Sequence, residues 1–400
     1  MELGYTPADE AFRAELGAWL QGHLPPEVRR ARPGELLRNG GADGEVPTWS
    51  RRWQAELFEA GWLVPPWPRR LGGCDASPQQ TLVYFEEMAR LQAPRTMNFQ
   101  GLSIVAPTLR EFGTPEQQER WLVRALRADD LWCIGMSEPG AGSDLGGLAT
   151  RGEVHDDVIV LTGQKVWTSS AHHADWCMVY CRTDPDAPKH RGISVVAVPM
   201  RSPGIDVRPF PHLTGQVDFA EVFFTDVAVP RSHVLGTLGD GWRVTMGSLA
   251  HERGGLWVQG VAGLESLSAQ LRELARTTGR AGDPVVRIEL AKVHEQVQTL
   301  KCLGYKGFAS FAQQSSSPEH SLLKLAQAET YKALAELGTL LLGPYGPVLD
   351  EPDRGADGHW PMTFFTSFAA TIAGGTSEIQ RTIIAERVLG LPRAKTGRTA

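Results

Sequence analysis

The strongest constraint on the fold is a change of hydrophobic period inside the chain. From about Leu131 to Gly239, apolar residues stop recurring at helical spacing and recur at strand spacing. The short Val-, Ile- and Phe-rich runs cover 158–161, 177–181, 193–199, 207–210 and 220–229. Gly, Pro and Asp breaks between them describe an antiparallel barrel or sandwich of roughly 100 residues. Either side reads as helix. Upstream, Phe12, Leu16, Trp19 and Leu20 share a face behind the Thr6-Pro7 start, and Trp49, Trp53, Leu57 and Ala60 share another. Further helical patterns cover 78–91, 102–112 and 115–126 upstream, then 242–273, 284–313, 321–342, 363–373 and 377–389 downstream. The Gly-rich stretch 34–47 and the basic tail from Pro392 read as mobile. The expected fold class is mainly α with a central β-domain: helices over 1–130, the β-domain over 131–240 and a helical bundle over 241–400.

Composition narrows the function classes. A chain of 400 residues, 42% hydrophobic and 22% charged, is ordinary globular protein with room for two or three domains. A net charge of -6 argues against nucleic acid or an anionic membrane as partner. No apolar run approaches the roughly 18 residues that span a bilayer, and the N-terminus lacks a basic-then-apolar signal pattern. The five cysteines, Cys74, Cys133, Cys177, Cys181 and Cys302, form no Cys-x-x-Cys pair. They read as reduced, buried thiols of a cytoplasmic enzyme, with no disulfide frame and no metal site.

Chemistry concentrates in two glycine clusters. Residues 132–144 read Trp-Cys-Ile-Gly-Met-Ser-Glu-Pro-Gly-Ala-Gly-Ser-Asp, an apolar run that turns sharply after Met136. Gly140, Gly142 and Gly146 are spaced too wide for a dinucleotide fingerprint, and Pro139 sits where its strand would enter the turn. An ordinary surface turn is the plain alternative, but Ser137, Glu138, Ser143 and Asp144 gather polar chemistry around this one. The second cluster, residues 372–381, reads Ile-Ala-Gly-Gly-Thr-Ser-Glu-Ile-Gln-Arg. Ser377-x-x-Gln380 is a capping-box pattern, and the glycines ahead of it expose a helix start suited to a phosphate. Alone, it is a well-capped helix.

Together the clusters resemble the acyl-CoA dehydrogenase family, flavoenzymes that oxidise acyl-CoA thioesters to 2-enoyl-CoA. The resemblance covers nearly the whole chain. Residues 137–144 and 375–381 are near-verbatim signatures, and Lys165-Val-Trp-Thr-Ser-Ser170 looks like the segment whose tryptophan lies against the isoalloxazine. Asp175 and Gly241-Trp242 also fall where the family pattern expects them. The resemblance implies an N-terminal helical domain, a β-barrel or sandwich, a C-terminal four-helix bundle, and bound FAD. Ile134 and Met136 would line the flavin pyrimidine edge through their backbone and Ser137 through its hydroxyl. Trp167 would cover the ring, Ser169 would offer a hydroxyl near N5, and Ser143 would stand where flavin and thioester tail meet. Thr376 and Glu378 would reach the FAD pyrophosphate and ribose. A redox ring wants apolar walls and a few fixed hydrogen bonds, so these residue types are chemically apt.

Two departures from the commoner family pattern follow. Many members carry Tyr-Glu-Gly-Thr before the last helix, and that glutamate removes the α-proton; here the stretch is Ala373-Gly374-Gly375-Thr376. Isovaleryl- and long-chain-type members carry the glutamate earlier, before an arginine, which makes Glu252 of the Glu252-Arg253 pair the candidate base and Arg253 a substrate contact. His251-Glu252 is no metalloprotease motif, because position 255 is Gly255. The backbone N–H of Gly374 would still hold the thioester oxygen as charge develops there. A glutamate desolvated by an apolar acyl pocket suits the proton transfer at neutral pH. The second departure concerns the segments that homotetrameric relatives lend to a neighbour's FAD. Only the stretch 276–280 and Leu342-Gly-Pro-Tyr-Gly346 remain, leaving Arg276 or Arg280 to serve. The expected assembly is a homotetramer or a heterotetramer with a related subunit, passing electrons to an electron-transfer flavoprotein. Two rivals share the fold: a flavin monooxygenase or oxidase, and a non-catalytic partner subunit.

Overall fold

Three helix starts are written into the chain as a hydroxyl residue followed by proline. Thr6, Ser77 and Thr114 each accept the backbone N–H of the third helical residue, while that residue's side chain (Asp9, Gln80, Gln117) accepts the cap's own N–H. A computed structural model describes residues 4–30, 46, 48–94, 96, 98–252, 256–312, 319–349 and 358–392. Most of the Gly-rich stretch, all of the tail beyond Pro392, and Arg253 therefore lie outside the described residues. The chain forms two compact units, Met1–Glu252 and Arg253–Ala400.

In the first unit, α1 (Pro7–His23), α2 (Pro26–Arg30), α3 (Thr48–Ala60), α4 (Pro78–Arg90), α5 (Ala106–Phe112), α6 (Pro115–Gln117) and α7 (Val123–Arg127) precede the strands. Leu16, Leu20, Trp53, Leu57, Leu109 and Trp121 are buried in one core, as their helical spacing requires. Buried amides then fix where the sheet begins. Gln54 Nε2 donates to Leu126 O at 2.7 Å, and Asn98 Nδ2 donates to Ala125 O at 2.9 Å. Asn98 Oδ1 accepts from Trp132 N at 3.1 Å, and Asp175 Oδ2 accepts from Leu131 N at 2.9 Å.

Eight strands follow: β1 (Trp132–Gly135), β2 (Arg151–Val154), β3 (Val158–Ser169), β4 (Trp176–Arg182), β5 (Ile193–Pro199), β6 (Ile205–Phe210), β7 (Phe219–Pro230) and β8 (Val234–Leu235). The sheet order is β6-β7-β3-β2-β4-β5-β8, with β1 added in parallel to β4 so that Cys133 faces Cys177. Both faces of β4 and β5 are buried. Cys177, Val179 and Cys181 join Ile159, Leu161, Val222 and Phe224 in an inner core, while Met178 and Tyr180 pack on the helical core. Strand β3 runs to Ser169, well past the apolar run 158–161, because its later residues still pair antiparallel with β7 despite their polarity. The cysteine expectation needs correcting at two positions: Cys302 is exposed and Cys74 half-buried, whereas Cys133, Cys177 and Cys181 are buried.

Helix α8 (Gly241–Glu252) ends the first unit. The second contains α9 (Leu256–Thr277), α10 (Pro284–Ala312), α11 (Glu319–Leu341), α12 (His359–Ile372) and α13 (Ser377–Ile383). Trp360 of α12 lies so close to Gly338 of α11 that a Cβ there would meet its ring at 1.9 Å. That contact sets the spacing of the two helices. Replacing Asn98 by Ala leaves the buried N–H of Trp132 without its acceptor, whereas the carbonyl of Ala125 keeps the Gln54 amide as a donor. Chemical denaturation of Asn98→Ala should show the apparent stability reduced by about 1–3 kcal/mol, and a loss below that range would show that Asn98 does not fix the start of β1.

Candidate active site

Strand β1 feeds directly into the turn at 137–144. Glu138 and Ala141 exchange backbone hydrogen bonds at 3.0 Å, closing a reverse turn whose corners are Pro139 and Gly140. One carboxylate fastens this turn from beneath. Glu138 accepts the Lys165 ammonium at 2.7 Å, the N–H of Thr150 at 2.9 Å and the N–H of Ala149 at 2.6 Å. Lys165 Nζ also donates to Met136 O at 3.2 Å. Lys165 has no exposed surface, and Glu138 is buried too. Burial opposes the carboxylate charge, yet the ammonium and the backbone donors hold the Glu138 pKa below the usual carboxylate range. Further along, Lys189 pairs with Asp144, and Arg182 donates to Gly146 O at 2.6 Å. These contacts tie the glycine turn to the β4–β5 hairpin.

Trp167 is the second part of the site. Between Lys165 and Thr168 the pairing of β3 with β7 slips by one residue, which is a β-bulge, and Trp167 takes a left-handed φ of 59° within it. A bulky residue in that region is strained and persists only where the surroundings impose it. The bulge turns the indole outward. It is 56% exposed, held edge-on by Phe210 at 5.1 Å and Phe219 at 5.6 Å. The N–H of Val166 donates to Ser137 O at 3.0 Å, so the bulge and the turn lie side by side. Ile134, Met136 and Ser137 are thereby brought together with Trp167 and Ser169; all but the exposed Trp167 are half-buried. Ser143 is exposed at the far end of the turn. A rigid, exposed aromatic face beside half-buried hydroxyls fits a planar redox ring.

In the second unit, Gly374 (φ 65°) and Gly375 (φ 92°) turn the chain from α12 into α13. The helix cap is Thr376, not Ser377 as the capping-box pattern suggests, because the glycine turn leaves Thr376 in the extended conformation that a cap requires. Its hydroxyl accepts from Ile379 N at 3.3 Å, and Gln380 Nε2 reaches back to Gly374 O at 3.0 Å. Ser377 instead donates to Glu329 at 2.8 Å, and Lys324 donates to Gly375 O at 2.6 Å. These α11 partners carry no signal in the sequence, being some 50 residues away in the chain. Glu378 is exposed. Arg276 projects from the end of α9 against the exposed Glu273, whereas Arg280 donates to Leu340 O at 3.0 Å and reaches Asp283. Glu252 closes α8, and its side chain lies outside the described residues. Lys165 does have a signal: it shares the inward register of Ile159 and Leu161, where an apolar residue is expected.

The N-terminal, middle and C-terminal domain families of acyl-CoA dehydrogenase match residues 6–129, 133–227 and 239–389, in that order. Over 389 residues the chain is 39% identical to acyl-CoA dehydrogenase IpdE1 of Mycobacterium tuberculosis, covering 97% of this chain and 99% of that protein. The chain belongs to the acyl-CoA dehydrogenase family. Among solved structures, the Tcur3481-Tcur3483 steroid ACAD matches it with a TM-score of 0.85 at 32% identity, over 98% of this chain and 100% of that one. The ChsE4-ChsE5 complex from Mycobacterium tuberculosis matches with a TM-score of 0.82 at 33% identity, over 98% and 100%. Members of this family bind FAD, and the relatives are oxidoreductases. No helix among the described residues is long and apolar enough to cross a membrane.

Because Trp167 is more than half exposed, its loss should leave the protein folded, with the stability of the flavin-free protein lowered by no more than about 1–3 kcal/mol for the two aromatic edge contacts. The flavin spectrum and FAD retention of Trp167→Ala should both change. Wild-type spectrum and retention would show that the indole does not face the cofactor.

Proposed function

We propose that this acyl-CoA dehydrogenase oxidises the thioester of a wide, ring-bearing acyl group, of the steroid-derived class, to the 2-enoyl-CoA, with Glu252 as the α-proton base. The observation that carries this reading is the open ground around Gly374. Among the described residues, a Cβ added there meets nothing within 4 Å. Where the commoner family pattern places Tyr-Glu, this chain has Ala373 and Gly374, so bulk and base are absent together. The wall beside the thioester is correspondingly open, and the proton acceptor must come from elsewhere. That a relative with a TM-score of 0.85 is a steroid ACAD supports the same substrate class.

In this reading Glu252 takes the α-proton. The N–H of Gly374 donates to the thioester oxygen as negative charge develops, a role that needs no side chain. Ile134, Met136 and Ser137 position the pyrimidine edge, Trp167 excludes water from the ring, and Ser169 supplies a hydroxyl. Thr376 and Glu378 reach the far end of the cofactor; Ser143 and Arg253 contact the substrate. When bound, FAD accepts the β-hydride, and an electron-transfer flavoprotein is the proposed oxidant that follows.

The assembly in this reading is a tetramer containing a related subunit. Arg280 is engaged with Leu340 and Asp283, leaving Arg276 as the better donor to a neighbour's cofactor. The ChsE4-ChsE5 relative is itself a complex of two differently named chains. Co-expression with a related subunit should raise flavin content per chain, measured by absorbance; equal content in the chain expressed alone would contradict it.

Stopped-flow bleaching of the flavin under anaerobic conditions tests the chemistry. A steroid-derived acyl-CoA should bleach it faster than butyryl-CoA without NAD(P)H, and Glu252→Gln should slow bleaching by on the order of 10²–10⁴-fold with FAD content unchanged. Fastest bleaching by butyryl-CoA would refute the substrate class, and a wild-type rate in Glu252→Gln would refute the base.

A further inference from the structure

We propose that the buried Glu138–Lys165 pair is the positioning device of the flavin-facing wall, with Lys165 acting through the Met136–Ser137 peptide; this rests on the FAD reading of the site given above. Lys165 occupies an inward position of β3 in register with Ile159 and Leu161, where an apolar side chain would pack without desolvating a charge. A buried ion pair contributes little stability over well-packed hydrophobic residues. Its presence therefore calls for another account, and the geometry supplies one.

The lysine stem runs past Gly135, where an added Cβ would stand 3.2 Å from Lys165 Cγ. Its ammonium then reaches Met136 O and Glu138, whose oxygens take the N–H groups of Ala149 and Thr150. One pair thus joins three chain segments: the exit of β1, the return of the glycine turn, and β3 just before the Trp167 bulge. Met136 C=O and Ser137 N–H belong to one peptide unit. A cation on that oxygen polarises the unit and strengthens its N–H as a donor, the cooperative effect of a charge-assisted bond in a low-dielectric setting. The pair presents its positive end to the segment assigned to the pyrimidine edge, where added electrons place negative charge. Lys165 touches neither cofactor nor substrate and is a positioning residue.

A double-variant experiment separates positioning from simple support. Lys165→Met leaves Glu138 buried without its cation and should lower both the unfolding temperature of the flavin-free protein and FAD affinity. Adding Glu138→Gln removes the stranded charge. The double variant should recover most of the unfolding temperature, while its FAD dissociation constant stays on the order of tenfold or more above wild type and the potential of bound flavin shifts negative. Recovery of affinity and potential together with the unfolding temperature would overturn the proposal in favour of a purely structural pair. Gly135→Ala provides a second route, keeping both charges but bringing a methyl to 3.2 Å from the lysine stem and equally from Cys177 Sγ. It should also weaken FAD binding and shift the potential, and wild-type values for both would equally overturn the proposal. Wild-type protein that never takes up FAD, alone or with a related subunit, would instead refute the underlying cofactor reading.

Discussion

The contact between the Lys165 ammonium and the Glu138 carboxylate, 2.7 Å long and shielded from water, is the interaction on which the candidate site depends. Neither charge would persist in the sheet interior alone, since burial disfavours the ionised form of each. Together, with Met136 O, Ala149 N–H and Thr150 N–H completing their hydrogen bonds, they turn a glycine-rich segment into a fixed wall. A Cβ added at Gly140 or Gly142 would meet no atom of the described residues within 4 Å, so apart from the buried Ala141 the turn has little packing to hold it. Its order comes from the Glu138 carboxylate beneath it, the Glu138–Ala141 backbone pair within it, the Val166–Ser137 backbone bond beside it, and the Lys189 and Arg182 contacts at its far end.

The same stretch of β3 stores local strain. Trp167 in a left-handed conformation is unfavourable by itself, and the flanking ladder with β7 and the edge contacts from Phe210 and Phe219 hold it there. The result is a large aromatic face turned outward from the sheet. Strain and buried charge sit two residues apart in one strand. That is where local rules are expected to fail in favour of function.

Much of the architecture was legible in the period of the apolar residues, because the helices and the doubly buried strands obey it. The run 193–199 coincides with β5, and the Thr-Pro starts at Thr6 and Thr114 are true caps. Legibility ended where polar residues serve as structure. Strand β2, Arg151–Val154, has too little apolar content to show itself, and β3 was cut short because Gly163, Gln164 and Lys165 hide the alternation. The cap at Thr376 was misplaced by one residue, since only the conformation of the preceding glycines decides which hydroxyl faces the helix. For the site, the two glycine signatures and Trp167 were visible as motifs. Lys165 is marked there by its place at the head of one motif and by its inward register with Ile159 and Leu161. Its role depends on a partner 27 residues away and on a depth of burial that spacing alone does not reveal.

If the ion pair builds the wall ahead of the cofactor, the wall is ordered in protein that holds no flavin. Amide hydrogen exchange of the flavin-free protein measures this directly. The N–H groups of Val166, Ala149 and Thr150, which bond to Ser137 O and to the Glu138 carboxylate, are predicted to exchange as slowly as those of the β4–β5 ladder. Rapid exchange at these three amides, becoming slow only after FAD is added, would show that the cofactor organises the wall and would contradict the account.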